Sequence, residues 1–271
     1  MNGPIIRKTA REAFPLLITL TLAVILFELL LTRAMGELSE GAANMWLQKP
    51  IFQRFIKAML GAELIGHVTI TGLMTVGFAH PVLYTLLWAF LLATCSRLIA
   101  GEVEGGTADL LLALPISRAS LYASTSVVWI LSGLPLCLAT IVGMRIGVWL
   151  FPFKEPLDFG RLSMLTVNLF ALHLAVGGAT ICVSSMVSRR SLAVAAILAW
   201  LLASFFLNFL SQLWPAVEKV SCLGLLNYYR PLPIVRTGVW PARDLGVILG
   251  ISGVAWLAGL WRFRRRDIPA T

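Results

Sequence analysis

Six long apolar runs divide this chain, and polar connections separate them. The runs cover residues 13–31, 81–99, 121–142, 163–187, 192–214 and 245–261. A hydrocarbon core about 30 Å thick needs about 20 apolar helical residues, and each run comes close to that length. The pattern therefore predicts an all-α integral membrane protein in which residues 1–271 form a single transmembrane domain with six spans.

Two further segments are harder to assign. Residues 65–78 are fairly apolar but include three threonines and three glycines. We interpret them as an outer-surface or re-entrant segment that leads into the second span, rather than as a seventh span. The basic residues 1–12 carry Arg7, Lys8, Arg11 and Glu12 beside Ile5 and Ile6. This mixture predicts a short N-terminal interfacial helix.

Composition supports a membrane protein and narrows its partners. The chain is 58% hydrophobic and only 13% charged, whereas soluble domains are about 25% charged. The net charge of +9 would suggest nucleic acid in a soluble protein. Here the basic residues flank apolar runs, so we expect contacts with anionic lipid head groups and no nucleic-acid partner.

An even number of spans places both termini on the same side of the membrane. If that side is the cytoplasm, half of the 22 Lys and Arg residues lie there, so their number does not decide the orientation. Their density does, because the basic residues on that side are packed against span ends, most of all in residues 261–267. We therefore predict a multi-pass protein of the cell inner membrane with both termini in the cytoplasm.

The polar connection at residues 101–118 lies between the second and third spans. Its two adjacent glycines favour a turn, and a threonine can cap a short helix that a proline ends. Leucines would form the apolar face of that helix. The residues of interest are Gly101, Glu102, Glu104, Gly105, Gly106, Thr107, Leu111, Leu112, Pro115 and Arg118. These residues alone leave two interpretations open, a docking element or an ordinary amphipathic turn.

Catalytic chemistry has little support in this sequence. There is no GxxxxGK[ST] motif to hold ATP and no HExxH motif, and the three histidines are far apart. We expect neither an enzyme nor a metal site. Four polar residues inside the spans could line a pathway, although contacts between helices are the default interpretation. They are Glu28, Asn168, His173 and Asn208. For Glu28, near the end of the first run, we favour contact with the outer interface.

The pattern G-E-x-E-x-G-T-x-x-x-L-L-x-x-P-x-x-R in residues 101–118 resembles that of ABC type-two permeases, the membrane subunits of many ABC exporters. The basic N-terminal segment and the ending Phe263-Arg264-Arg265-Arg266-Asp267-Ile268 are also similar to that family. One departure is that residues 121–126 contain no lysine, where family members often carry one. A salt link at that position is therefore not expected.

The resemblance implies a permease subunit of an exporter that pairs with a second permease chain, identical or different. It also implies a separate ABC ATPase that binds ATP and Mg²⁺, so this chain itself would need no cofactor. Residues 101–118 would then hold a cytoplasmic coupling helix, and the N-terminal segment would brace the first span. A secondary transporter and a membrane-embedded lipid-modifying protein remain the alternatives. Nothing in the sequence separates drug, lipid or peptide as the cargo, and the short external connections argue mildly against a polymer.

Overall fold

The computed structural model describes residues 2–40, 69–106 and 116–266, and these ranges contain only helices, turns and connections. The main helices are α1 (Gly3–Glu40), α2 (Ile70–Ala79), α3 (Pro81–Ser96), α4 (Arg118–Leu150), α5 (Phe159–Met186), α6 (Arg190–Ser211), α7 (Pro231–Thr237) and α8 (Ala242–Arg265). Shorter helical turns cover Arg97–Gly101, Glu102–Glu104, Pro215–Glu218, Ser221–Leu223 and Leu225–Tyr228.

Six spans in the described residues are long and apolar enough to cross a membrane, which confirms the number expected from the sequence. Helices α1, α4, α5, α6 and α8 each provide one span, and α2 and α3 together provide another. Leucine, valine and phenylalanine cover the outward faces of α1 and α8, including Phe14, Leu22, Val254 and Leu257. Such broad apolar surfaces are suited to lipid and not to water.

The core of the bundle is built around α5, which packs against α3, α4, α6 and α8. Small residues allow this close approach. A Cβ atom added at Gly178 of α5 would lie 2.8 Å from the carbonyl oxygen of Ser252 in α8. The Ser252 hydroxyl in turn donates to the carbonyl of Leu174 at 2.9 Å. Glycine and serine thus bring two spans into direct backbone contact, as is usual between helices in membranes.

The predicted N-terminal interfacial helix is not a separate element. It is the first part of α1, a continuous helix of 38 residues, which is about 57 Å long at 1.5 Å per residue. No glycine or proline stands between Ile5 and Phe14 to end a helix. Pro15 lies inside α1 and has no N–H to donate to the carbonyl of Arg11, so the helix is weakened there.

The first turns of α1 do not continue straight along α4. Further up, Glu28 lies against Gly143 and Thr32 against Gly147. If Asn2 kept the same offset from α4 as Glu28 and Thr32, it would lie near the first residue of α4. Instead, the Asn2 N–H donates to Ser124 Oγ at 2.8 Å, about 10 Å further along α4 than that register predicts. The N-terminal turns therefore meet α4 in a different register from the later part of α1.

The second span is interrupted at His80. This residue is extended, with ψ of 134°, because a residue that precedes a proline is disfavoured in the helical region. Its ring nitrogen accepts from the Val82 N–H at 3.2 Å and so caps α3. The Phe78 carbonyl at the end of α2 accepts from the Tyr229 hydroxyl at 3.2 Å. A residue from the connection after α6 thus satisfies a backbone group near the break.

Helix α2 corrects the outer-surface interpretation of residues 65–78. Nine of the ten residues from Ile70 to Ala79 are buried, packed against α1, α5 and α7. The Thr71 hydroxyl accepts from the Asp158 N–H at 3.1 Å, so α2 begins at the level where α5 begins. Residues 65–68 lie outside the described ranges. Two of the residues that suggested a surface segment, Gly77 and Thr71, instead make contacts to α1 and to the start of α5.

Candidate functional site

One end of the bundle gathers the first turns of α1, both described ends of the 101–118 segment, the connection from α5 to α6 and the end of α8. Residues 101–106 and 116–118 of the segment are described, whereas residues 107–115 are not. The predicted site residues Thr107, Leu111, Leu112 and Pro115 therefore lie outside the described ranges. Contacts at both sides of that interval show which helices the segment is joined to.

On the leading side, the segment is joined to α1 by charge. Lys8 Nζ lies 3.2 Å from Glu102 Oε1, and Arg97 lies 3.7 Å from Glu12. Both pairs are partly exposed to solvent, so each contributes about 1 kcal/mol or less to stability. Their role is to fix the position of the N-terminal turns of α1 against the segment.

Glu104 joins the segment to α6. Its carboxylate accepts from the backbone N–H of Arg190 at 2.8 Å, at the first turn of a helix that has no side-chain cap of its own. A carboxylate at this position stabilises the helix N-terminus. The Arg190 guanidinium donates to Ser96 Oγ at 3.1 Å and to the Ala93 carbonyl at 3.2 Å. Through Arg190, α6 is fastened to the end of α3.

The two adjacent glycines of the segment, Gly105 and Gly106, lie at the turn that the sequence predicts. The Gly105 N–H donates to the Gly101 carbonyl at 2.9 Å. Gly106 has φ of 68°, in the left-handed region that glycine occupies without the strain that other residues meet. The helical turn at Glu102–Glu104 therefore ends at these two glycines.

On the trailing side, the segment is joined to the end of α8. Arg118 is the first residue of α4, and the Ser117 hydroxyl accepts from the Ser120 N–H at 3.2 Å to cap that helix. The Arg118 guanidinium donates to the backbone carbonyl of Arg266 and lies 3.5 Å from the carbonyl of Phe263. The start of α4 and the end of α8 are thereby held together.

Arg266 extends this connection to α5. Its guanidinium donates to the carbonyls of Ser185 at 3.1 Å and Val187 at 2.9 Å, and to Ser188 Oγ at 2.5 Å. Only 7% of the residue is exposed. Burial, and to a lesser degree the neighbouring Arg262, lowers the pKa of this guanidinium, although arginine stays charged at neutral pH. We call Arg118, Arg266, Ser185, Val187 and Ser188 the Arg266 cluster.

The sequence did not predict the contacts of Arg190 and Arg266. The available signal was the density of arginines at span ends, which shows where basic residues collect but not which carbonyls they reach. Arg266 bonds to residues about 80 positions earlier in the chain. No local pattern encodes a pairing over that separation.

The predicted N-terminal site residues lie on a helix with two distinct faces. Ile5, Thr9 and Ala13 are buried against the bundle, which is the spacing of one helix face. The opposite face borders a groove of about 640 Å³, whose described lining comprises Gly3, Pro4, Arg7, Lys8, Arg11 and Glu12. A basic groove at one end of a membrane bundle is suited to anionic partners.

The four candidate pathway residues do not form one cluster. Glu28 packs against Gly143 of α4, whereas His173 packs against Gly133, about 15 Å away along that helix. The His173 Nε2 lies 3.1 Å from the Trp129 carbonyl. Asn168 is fully buried, whereas Asn208 is half-buried near the far end of α6.

The structure shows that the outer-interface interpretation of Glu28 is wrong. Its side chain is fully buried, and α1 continues for three further turns to Glu40. The apolar run in the sequence ends at residue 31, but the helix does not end there. Glu28 therefore faces α2 and α4 inside the bundle.

The described residues thus form six candidate membrane spans and a polar connection that is fastened to the bundle at both of its described ends. The family model described as ABC-2 family transporter protein matches residues 5–268. The chain therefore belongs to this family and is a permease component of an ABC transporter, not itself catalytic.

Membership in this family also bears on partners and location. It implies an ABC ATPase partner and usually a dimeric arrangement. Together with the six candidate spans, membership in the family supports a multi-pass protein of the inner membrane. A comparison with curated proteins finds no match.

Proposed function

We propose that this chain is the translocation subunit of an ABC exporter and that its 101–118 segment receives the movement of an ATPase bound in the cytoplasm. One observation carries the proposal. The segment is fastened at its leading side to α1 and α6 and at its trailing side to α8, with α5 one contact further. Displacing the segment therefore displaces several spans together.

The mechanism follows from these contacts. ATP and Mg²⁺ bind to the partner ATPase, and closure of two ATPases pushes on the segment of each permease chain. Glu102 passes the movement to Lys8 of α1, and Glu104 passes it to the first turn of α6. The Arg266 cluster passes it to α8 and α5. Short, directional contacts of this kind transmit a rigid-body shift, whereas a flexible loop would absorb it.

Orientation is part of the proposal. The arginine-rich end of the bundle faces the cytoplasm, where Arg7 and Arg11 contact anionic lipid head groups beside the groove. The opposite end carries the connection after α6, including Cys222, which is exposed, whereas Cys95, Cys137 and Cys182 are buried. Cysteine labelling can therefore test the orientation with few changes to the chain.

We expect a membrane-impermeant maleimide to label Cys222 in intact spheroplasts. A cysteine placed at Gly105 in a Cys222→Ser background should be labelled only after permeabilisation. Gly105 is exposed. Labelling of the cysteine at position 105 in intact spheroplasts, together with no labelling of Cys222 in the wild-type chain, would show that the orientation is the opposite one.

Coupling is tested with the purified complex of permease and ATPase. Glu102→Gln, Glu104→Gln and Arg118→Gln each remove one anchor of the segment, so we expect the permease-dependent part of ATP hydrolysis to fall. Glu37→Gln is a matched control, because Glu37 pairs with Arg33 at 3.2 Å on the far end of α1. Unchanged hydrolysis in all three anchor variants, with the complex intact, would refute the coupling role.

Family membership disfavours the secondary transporter that the sequence left open, although the buried carboxylate of Glu28 would suit one. Transport in proteoliposomes separates the two candidates. ATP-dependent transport without an ion gradient supports the exporter. Transport that follows a proton or sodium gradient and ignores ATP supports the alternative.

A further inference from the structure

Glu28 is a carboxylate that is buried in the bundle and has no partner in the part of the chain that the structure describes. None of its surface is exposed, and neither Oε1 nor Oε2 has a hydrogen-bond partner among the described residues. It lies about 24 Å along α1 from Glu12, well away from the charged end of the bundle. Ionised carboxylates in such surroundings are costly, which makes each one a candidate functional group.

The space around this carboxylate is closed by glycines from two other helices. A Cβ atom added at Gly77 of α2 would lie 2.7 Å from Oε2 and 3.1 Å from Oε1. A Cβ atom at Gly143 of α4 would lie 2.8 Å from the Glu28 Cβ and 2.6 Å from the Ile25 carbonyl oxygen. A methyl group does not fit without displacing these neighbours. A hydrated ion or an organic cation is larger still.

The nearest arginines on the packed helices are engaged elsewhere. Arg33 of α1 pairs with Glu37 and lies 5.2 Å from the ring centre of Phe151. Arg145 of α4 lies over the ring of Phe159 at 4.5 Å. Both guanidinium groups thus face the far end of the bundle and not the carboxylate.

Within the described ranges, the other titratable groups near Glu28 are His80, Tyr84, Tyr229 and Cys137. His80, at the break between α2 and α3, packs its ring 5.1 Å from that of Phe27. The Tyr229 hydroxyl donates to the Phe78 carbonyl, and the Tyr84 ring lies 6.1 Å from that of Tyr229. Cys137 is a buried free thiol of α4. None of the four donates a hydrogen bond to the carboxylate.

We propose that Glu28 is a proton-binding site: it holds a proton while α1 is packed against α2 and α4, and it exchanges that proton with water when these helices separate. A buried charge without a partner costs several kcal/mol, and the neutral acid costs far less. The proton is the one cation that adds no appreciable volume to the closed site. On separation of the helices a carboxylate oxygen gives its proton to water, and on closure it takes one back.

The first test uses the permease alone in lipid nanodiscs and does not depend on an ATPase partner. Infrared difference spectra recorded during a pH titration report the carbonyl band of a protonated carboxylic acid. We expect this band to be present near neutral pH, at which exposed glutamates are ionised because they titrate at about 4.3. The band should be absent from Glu28→Gln and retained in Glu37→Gln. An identical band in wild type and Glu28→Gln would overturn the proposal.

The second test rests on the proposed function, because it uses the complex with the ATPase. We expect the rate of ATP hydrolysis by the wild-type complex to depend on pH. Glu28→Gln should lose this pH dependence, and Glu37→Gln should keep it. Glu28→Gln should unfold at the same temperature as wild type or higher, because its amide resembles the neutral acid. Unchanged ATP hydrolysis in the three anchor variants, with the infrared band present, would refute the proposed function and leave this site standing.

Sodium distinguishes a proton from a metal cation at the same carboxylate. Replacing Na⁺ by K⁺ or by tetramethylammonium at constant pH should leave both the infrared band and the hydrolysis rate unchanged. A Glu28-dependent signal that follows Na⁺ concentration and not pH would overturn the assignment of the proton as ligand.

Discussion

Replacing Arg266 by methionine should loosen the end of the bundle that carries the 101–118 segment. The guanidinium donates to the carbonyls of Ser185 and Val187 and to the hydroxyl of Ser188. Hydrogen bonds from a charged group contribute about 1.5–3 kcal/mol each, and they are not additive when one group makes all of them. Two of the three are only partly buried, so we expect a total loss of about 3 kcal/mol.

This loss is measured as a change in thermal unfolding of the permease in nanodiscs. At about 2–4 °C per kcal/mol for a chain of this size, Arg266→Met should lower Tm by roughly 6–12 °C. Arg266→Lys keeps a positive charge but cannot reach all three acceptors, so it should give an intermediate value. Arg264→Gln is the control, because Arg264 is exposed near the end of the same helix and should unfold like wild type.

The outcome that refutes this reasoning is an Arg266→Met protein that unfolds within about 1 °C of Arg264→Gln. The contacts would then contribute little, and the Arg266 cluster would have no role in joining α8 to α5. An equal loss of stability in Arg266→Met and Arg264→Gln would also refute the reasoning. The loss would then arise from removal of a positive charge and not from the lost hydrogen bonds.

Two further predictions concern glycines. Gly106→Ala forces a side chain into φ of 68° and should lower the free energy of unfolding by about 1–2 kcal/mol. Gly105→Ala should lower it by less. Denaturant titration of the two variants in nanodiscs measures the difference. Gly147→Ala places a Cβ 2.7 Å from Thr32 and should cost about 1–3 kcal/mol by overpacking α1 against α4. Gly246→Ala meets nothing within 4 Å and should be neutral; equal effects in either pair would contradict the packing described.

Much of the fold follows from the sequence because the membrane restricts it so strongly. Backbone groups within lipid must be satisfied inside each span, so long apolar runs become helices. The turn at the start of the 101–118 segment was also predictable, because adjacent glycines favour it and Gly106 occupies a conformation suited to glycine. The residues of the segment that follow this turn remain a prediction.

Helix ends and helix faces were less predictable. α1 continues for nine residues beyond its apolar run to Glu40, because polar residues extend a helix once it has emerged from lipid. This extension placed Glu28 inside the bundle although the sequence put it near an end. Which face of α1 meets Gly77 and Gly143 depends on packing between helices, which hydrophobic runs do not record.

The contacts of Arg266 show the same limit for the candidate site. The sequence indicates that arginines collect at this end of the bundle, and the positive-inside rule accounts for their presence. It does not indicate that one of them is nearly buried and bonded to the end of α5. That arrangement arises only when α8 folds back along α5, far from it in sequence.

The central claim, that the 101–118 segment meets the ATPase, is tested most directly by photo-crosslinking. A photoreactive amino acid at Gly105, which is exposed beside the turn, should form an adduct with the ATPase in membranes that contain both proteins. The same amino acid at Trp149, which is 80% exposed near the opposite end of α4, should form none. An ATPase adduct from position 149, or none from position 105 while the two proteins co-purify, would contradict the account.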